Sequence, residues 1–274
     1  MSLFTVDSNK CKRDGICVAE CPVGVIEMAG KEAFPRPVAG ADQICINCGH
    51  CVAVCPHGAL TLKTMQFQDC PPVQKDLLPS SEQTIHLLSS RRSIRTYKKQ
   101  PVQHDTLLKL IDIARCAPSG SNKQPVNWLV IENTNEVNRM AGLVIDWMRL
   151  MLKENPAAPF TNYATSLVAS WEKGEDKICR NAPHVILTHS PVAQPTAQTD
   201  CVIALTYLEL AAFSMGLGAC WAGFLNLAAN AYPQAKEALG IPGDHRCCGA
   251  LLIGHPKYRY HRIPRRNEPV ISWR

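Results

Sequence analysis

Cys45-Ile46-Asn47-Cys48-Gly49-His50-Cys51-Val52-Ala53-Val54-Cys55-Pro56 is a complete C-x2-C-x2-C-x3-C-P run, the spacing with which thiolates wrap an iron–sulfur cluster. An upstream stretch, Cys11-Lys12-Arg13-Asp14-Gly15-Ile16-Cys17-Val18-Ala19-Glu20-Cys21-Pro22, overlays it at an offset of 34 residues. Cys11, Gly15, Cys17, Val18, Ala19, Cys21, Pro22 and Gly24 meet their counterparts Cys45, Gly49, Cys51, Val52, Ala53, Cys55, Pro56 and Gly58. The N-terminal region is therefore an internal duplication. In such runs three closely spaced thiolates clasp one cluster, and the fourth, before the proline, reaches the other. The pattern predicts one 4Fe–4S cluster on Cys45, Cys48, Cys51 and Cys21, and a second on Cys11, Cys17 and Cys55. Such a region handles single electrons.

Competing chemistries fit these cysteines poorly. Zinc sites favour C-x2-C pairs separated by a longer insert. A disulfide framework belongs to a secretory setting, and residues 1–10 carry no apolar leader core. One position breaks the duplication: Asp14 stands where the second copy has Cys48. A carboxylate is a harder, weaker donor to iron than a thiolate. The second cluster is then 4Fe–4S with Asp14 on its fourth iron or 3Fe–4S with that corner vacant, unless Asp14 only caps its loop.

Working outward, the chain has 274 residues, 46% hydrophobic, enough for about two domains. The reading is a ferredoxin-like iron–sulfur domain over 1–65, a proline-bearing linker over 66–79, and a larger domain over 80–274. The other seven cysteines (Cys70, Cys116, Cys179, Cys201, Cys220, Cys247 and Cys248) lie mostly in apolar segments and read as reduced, buried small hydrophobes. The net charge of +6 comes without a dense basic–aromatic stripe, so no nucleic-acid partner is expected. The most apolar stretch, 201–229, is interrupted by Glu209 and by Gly216 and Gly218, and reads as a buried helix followed by a strand. No membrane partner is expected, and the setting is read as cytoplasmic.

Within 80–274, Leu107, Leu108, Ile111 and Ala114 recur at helical spacing in 104–116. Residues 126–132, 184–189 and 248–253 are short β-rich runs suited to a covered sheet. Residues 136–152 and 164–173 read as helices. Helices mixed irregularly with strands imply an α+β class.

Four further motifs follow in order: Arg91-Arg92-Ser93-Ile94-Arg95; Ala117-Pro118-Ser119-Gly120-Ser121-Asn122-Lys123-Gln124-Pro125; Trp221-Ala222-Gly223-Phe224; and Arg262-Ile263-Pro264. Together they resemble the signature of the FMN-dependent nitroreductase family. With the cysteine runs, the whole chain is similar to the subgroup that carries an N-terminal bacterial-type ferredoxin domain. The resemblance implies a nitroreductase-like sheet flanked by helices, an FMN cofactor and a homodimer.

The residues make physical sense of that resemblance. Arg91, Arg92 and Arg95 with the Ser93 hydroxyl form a compact anion site, because guanidinium forks match phosphate oxygens. The family implies that Arg91, Arg92 and Ser93 meet the FMN phosphate, and that Arg95 lies near the flavin pyrimidine edge. It implies that Pro118, Ser119 and Asn122 contact flavin across the dimer, from a loop whose glycine lets a ligand approach the backbone. Ala222 and Gly223 match the place where a backbone N–H meets flavin N5, and Arg262 matches a second phosphate contact.

Two departures stand out. Val126-Asn127 follow Gln124-Pro125 where many relatives have tryptophan, leaving Trp128 two positions late. Tyr260 stands where some relatives use a phosphate-binding lysine. Trp147, Phe160, Tyr163 and Trp171 are candidates for an aromatic pocket, although helix-spaced aromatics are commonly core. The histidines show no metal pattern, and no G-x-G-x-x-G dinucleotide loop occurs.

The expectation is an oxidoreductase that passes electrons through two clusters to FMN and on to a small electron-poor acceptor, such as a nitroaromatic or a quinone. Its donor would be ferredoxin-like or NAD(P)H, and no dedicated catalytic acid is evident. The alternatives are an electron-transfer or redox-sensing module for a protein partner, and a reductase of C=C or carbon–halogen bonds.

Overall fold

A computed structural model describes residues 2–157 and 160–274. The chain divides into two compact units, Met1–Leu78 with Ser121–Lys123, and Pro79–Gly120 with Gln124–Arg274.

In the first unit the duplication persists in the backbone. The helical turns α1 (Ile16–Ala19) and α3 (His50–Ala53) each start after a glycine in the left-handed region, Gly15 at φ 72° and Gly49 at φ 73°. Arg13 and Asn47, two residues earlier in each copy, also have positive φ, 58° and 53°. A side chain at either glycine would strain that conformation. Strand β1 (Phe4–Val6) pairs antiparallel with β4 (Leu60–Leu62), and β2 (Ile26–Glu27) with β3 (Arg36–Pro37). Helix α2 (Ala41–Ile44) leads into the second cysteine run. Phe4, Val25, Ile26, Val52, Leu60 and Leu62 bury a small core behind the cysteines. Residues 66–78, expected as linker, are grouped with this unit and contain 3₁₀ turns at Phe67–Asp69 and Lys75–Leu77.

The second unit is built on a four-stranded antiparallel sheet. Its strands are β5 (Asn127–Ile131), β6 (His184–Pro191), β7 (Gly218–Trp221) and β8 (His245–Gly254), in the order β5-β6-β8-β7. Both faces are covered, so the central strands are buried without alternation over residues 184–188 and 247–254. Val185, Leu187, Ala250 and Leu252 point into one core with α6 (Thr134–Glu154), α7 (Thr161–Glu172), α9 (Gly223–Ala231) and α10 (Pro233–Ala238). Ile186, Leu251 and Ile253 point into the other, with α5 (His104–Ala114) and α8 (Ala197–Ser214). This is the α+β arrangement expected from the mixed periodicities.

The expected apolar face of α5 needs one correction. Leu107, Leu110 and Ala114 are buried, whereas Leu108 is half exposed. The i, i+3, i+7 set faces the core, and Leu108 lies one position off it. Helix α4 (Ser81–Ser90) begins with a capping box in which Ser80 and Gln83 exchange side-chain-to-backbone hydrogen bonds. Segment 91–95 then runs beside β7, with Ile94 N–H donating to Ala219 O at 2.8 Å.

Candidate functional site

The cysteines of the first unit separate into two groups, each lining its own cavity. Cys21, Cys45, Cys48 and Cys51 line one of about 350 Å³. Cys11, Cys17, Cys55 and Asp14 line another of about 340 Å³. Cys21 and Cys55, the residues before proline, each face the other copy's cavity. Among the described residues no three His, Cys, Asp or Glu side chains converge on a point suited to one metal ion. Thiols spread around a cavity wall suit a polynuclear cluster better than a single ion.

The electrostatics follow the same grouping. Burial pushes the Cys17 thiol up, helped by the negative charges of Cys11, Cys55 and Asp14. Burial likewise pushes Cys51 up to about 11, with Cys48, Cys21 and Cys45 adding to it against a backbone N–H. Thiols whose ionisation is so disfavoured become thiolates when a cation lies among them. Backbone N–H groups of Val25, Asn47 and Ala59 already point at Cys21, Cys45 and Cys55 Sγ, at 3.4, 3.4 and 3.3 Å. Asp14 accepts from Ile16 N–H at 3.2 Å through Oδ1, a loop-capping bond, while also facing the second cavity.

The flavin candidates lie in separate places within one chain. Arg91, at the end of α4, is paired with Glu209 of α8, its Nη1 2.8 Å from Oε1. Arg92 lines an open cavity of about 910 Å³ with Ser90, Tyr258 and Arg259. Ser93 is half-buried and Arg95 exposed. Ala222 N–H is committed to Ala250 O at 2.8 Å. Gly223 opens α9, so its N–H belongs to the unpaired first turn. Of the two, Gly223 is the available donor. Arg262 lies in the segment 257–274, which is exposed throughout.

Pro118 and Ser119 line a cavity of about 640 Å³ with Trp128 and Asp200. Their loop is strained: Ser121, Asn122 and Gln124 all have positive φ. Asn122 Nδ2 donates to the carbonyls of Ile46 and Asn47, at 3.2 and 2.9 Å, inside the first unit. The expectation for Gly120 is overturned. A Cβ there would sit 2.7 Å from the Thr196 side chain, so that space holds protein rather than an approaching ligand.

Several contributors were missed from sequence. Asp200 fixes the loop, its Oδ1 accepting from Gly120 N–H at 3.0 Å and its Oδ2 from Thr196 Oγ1 at 2.8 Å. Asp176 gathers three backbone N–H groups, from Ile178, Cys179 and Asn181, at 2.9, 2.8 and 2.8 Å. This clamp holds Arg180 and Asn181 at φ 58° and 50°. Burial pushes the Cys220 thiol up, with the Glu209 carboxylate adding to it and the guanidiniums of Arg95, Arg180 and Arg91 opposing it. Consecutive left-handed non-glycine residues leave no signature in composition.

Of the aromatic candidates, Trp147 is core and Trp171 packs against it. Phe160 and Tyr163 cluster with Phe224, with ring centroids 5.6 and 5.8 Å from that ring. Phe224 follows Gly223 directly, which brings aromatic surface next to the free N–H.

Residues 88–255 match the model of the nitroreductase family, more than half of the chain. The chain belongs to the nitroreductase family. It is an FMN-dependent oxidoreductase of that family. Residues 9–59 of this nitroreductase-family chain match a 4Fe-4S dicluster domain. An iodotyrosine deiodinase of Thermotoga neapolitana is 23% identical over 187 residues, covering 68% of this chain and 95% of that protein. An FMN reductase [NAD(P)H] of Bacillus subtilis is 26% identical over 198 residues, covering 69% of this chain and 72% of its own length. A nitroreductase with bound FMN from Bacteroides fragilis superposes with a TM-score of 0.54 at 19% identity, over 69% of this chain and 98% of its own. A BluB-like flavoprotein of Clostridium difficile 630 gives 0.56 at 20%, over 69% and 99%. The two likenesses to solved structures are to the fold. Among the described residues no helix is long and apolar enough to cross a membrane.

Proposed function

We propose that this nitroreductase-family oxidoreductase passes electrons through two iron–sulfur clusters to FMN and on to a small electron-poor organic acceptor. The observation that carries the reading is the partition of the cysteines into two cavities, each completed by a residue from the other copy. On it, Cys45, Cys48, Cys51 and Cys21 hold a 4Fe–4S cluster. Cys11, Cys17 and Cys55 hold the other, as 4Fe–4S with Asp14 on the fourth iron or as 3Fe–4S with that corner vacant.

Bound flavin supplies a carrier that accepts electrons singly and delivers them in pairs. The chain's own residues bind and orient it. Arg92, Ser93 and Arg262 supply phosphate contacts, Arg95 a cation at the pyrimidine edge, and Gly223 an N–H for N5, with Ala222 holding the turn through Ala250 O. Pro118 and Ser119 line a different cavity from Arg92, which supports a role for their loop, with Asn122, in a second copy's site. A homodimer is thus part of the reading. Phe224, Phe160 and Tyr163 offer a wall for flat substrates. The donor is ferredoxin-like or NAD(P)H.

Anaerobic purification with iron, sulfide and FMN quantified tests this directly. Two clusters and one FMN per chain are expected. Protein carrying zinc and no iron–sulfur absorption would sink the cluster assignment. A panel with reduced viologen against NAD(P)H identifies the donor. A second reading, reductive cleavage of carbon–halogen bonds, is favoured by relatives named iodotyrosine deiodinase. Halide release from a haloaromatic in the same panel decides between them.

A further inference from the structure

Helix α8 packs a mostly apolar face into the core, yet it carries two buried carboxylates, Asp200 and Glu209. Asp200 is occupied by the 118–124 loop, as described. Glu209 is only 6% exposed, and an apolar side chain would fill its place without desolvating a charge. Its two oxygens are divided between two segments of the flavin site. Oε1 takes Arg91 Nη1 at 2.8 Å, and Oε2 takes Trp221 Nε1 at 3.3 Å. Arg91 belongs to the segment offered for the phosphate. Trp221 ends β7 one residue before Ala222-Gly223, with its indole against Gly249, where a Cβ would come 2.9 Å from the ring.

We infer that Glu209 is a positioning residue of the flavin site, one carboxylate that fixes Arg91 and Trp221 together before cofactor binds. It follows that Arg91, already charge-compensated, contributes geometry rather than net positive charge. Arg92 and Arg95, which have no ion pair among the described residues, supply the charge. The inference rests on the proposed flavin site and adds a residue that spacing and motif do not reveal.

The test is FMN titration of apo-protein, prepared from the full chain, for wild type, Glu209→Gln, Glu209→Leu, Arg91→Lys and Trp221→Phe. Quenching of flavin fluorescence reports the dissociation constant, and the visible spectrum of bound flavin reports its surroundings. Glu209→Leu should weaken FMN roughly tenfold or more and shift the flavin spectrum, because a charge-assisted bond and an indole bond are lost. Glu209→Gln keeps an accepting oxygen and should recover most of the affinity. Trp221→Phe and Arg91→Lys, at partly exposed positions, should each weaken FMN and be non-additive with Glu209→Gln. Wild-type affinity and spectrum in Glu209→Leu, with additive effects at Arg91 and Trp221, would reduce Glu209 to packing and overturn the inference. Should Glu209→Leu fail to fold, the Arg91 and Trp221 cycles with Glu209→Gln decide alone. Failure of wild type to bind FMN would instead strike the flavin reading itself.

Discussion

At the scale of single residues, two side chains have computable consequences. Asp14 breaks the duplication and faces the second cavity. If its carboxylate is a weak ligand, Asp14→Cys should yield a cubane that survives air. EPR of air-exposed wild type should then show a 3Fe–4S signal that the variant lacks, and identical spectra would leave Asp14 as the cap of Ile16 N–H. His184 is the second case. Its Nε2 accepts from Val102 N–H at 2.8 Å and its Nδ1 lies 2.9 Å from Glu132 O, a neutral ring bonded at both ends. Burial holds its pKa below the ordinary histidine value. The unfolded chain therefore takes up the proton first, so stability falls as pH drops from the ordinary value toward the depressed one. Urea midpoints should decrease as pH falls below the ordinary histidine value of about 6.5. His184→Gln should flatten that slope while lowering the midpoint at pH 7.

At the scale of elements, what was legible depended on whether the signal was local. The cysteine runs, the strands near 127, 184 and 248, and the helix ending before Gly216 follow from spacing and periodicity alone. Helix α4 carried a readable signal in Ser80 and Gln83, the capping box, although its exposed faces gave no apolar stripe. Glu209 was visible only as a blemish in an apolar stretch. Its partners lie 118 and 12 residues away, beyond any local pattern. The turn 176–181 was equally silent, because Asp176 does its work through backbone N–H groups. Asp176→Ala would orphan three such groups in a buried turn. We expect a loss of more than ~2 kcal/mol in denaturant unfolding. Cys220 should become more accessible to thiol reagents, since Arg180 loses its fixed place beside it. An unchanged midpoint would show that the turn holds without its clamp.

At the scale of the whole molecule, apolar side chains remain in water where a partner is expected. Ile85 and Leu88 on α4 are 67% and 54% exposed, and Trp273 is 88% exposed. Isolated exposed apolar residues are ordinary, but Ile85 and Leu88, one turn apart, together with Val270, Ile271 and Trp273 in the tail, fit the proposed homodimer interface. Sedimentation of the holo-protein should give a dimer. Ile85→Asp with Leu88→Asp should shift it toward monomer and lower bound FMN in proportion, because each flavin site then lacks its second copy's loop. Monomeric variants with full FMN load would place the site wholly within one chain. The family fold was legible from four short motifs, but their convergence was not. Pro118 and Ser119 line a different cavity from Arg92, and under the proposed homodimer a sequence records only one of the two copies.

The paired left-handed residues, Gly15 with Gly49 and Arg13 with Asn47, repeat the same backbone turn in both copies of the first unit. A perfect replica would be energetically degenerate: an electron would have no reason to rest at one end rather than the other. On the proposed reading, Asp14 in place of a fourth thiol would give the two cluster sites unequal surroundings. The proposed wire would then have two distinguishable ends.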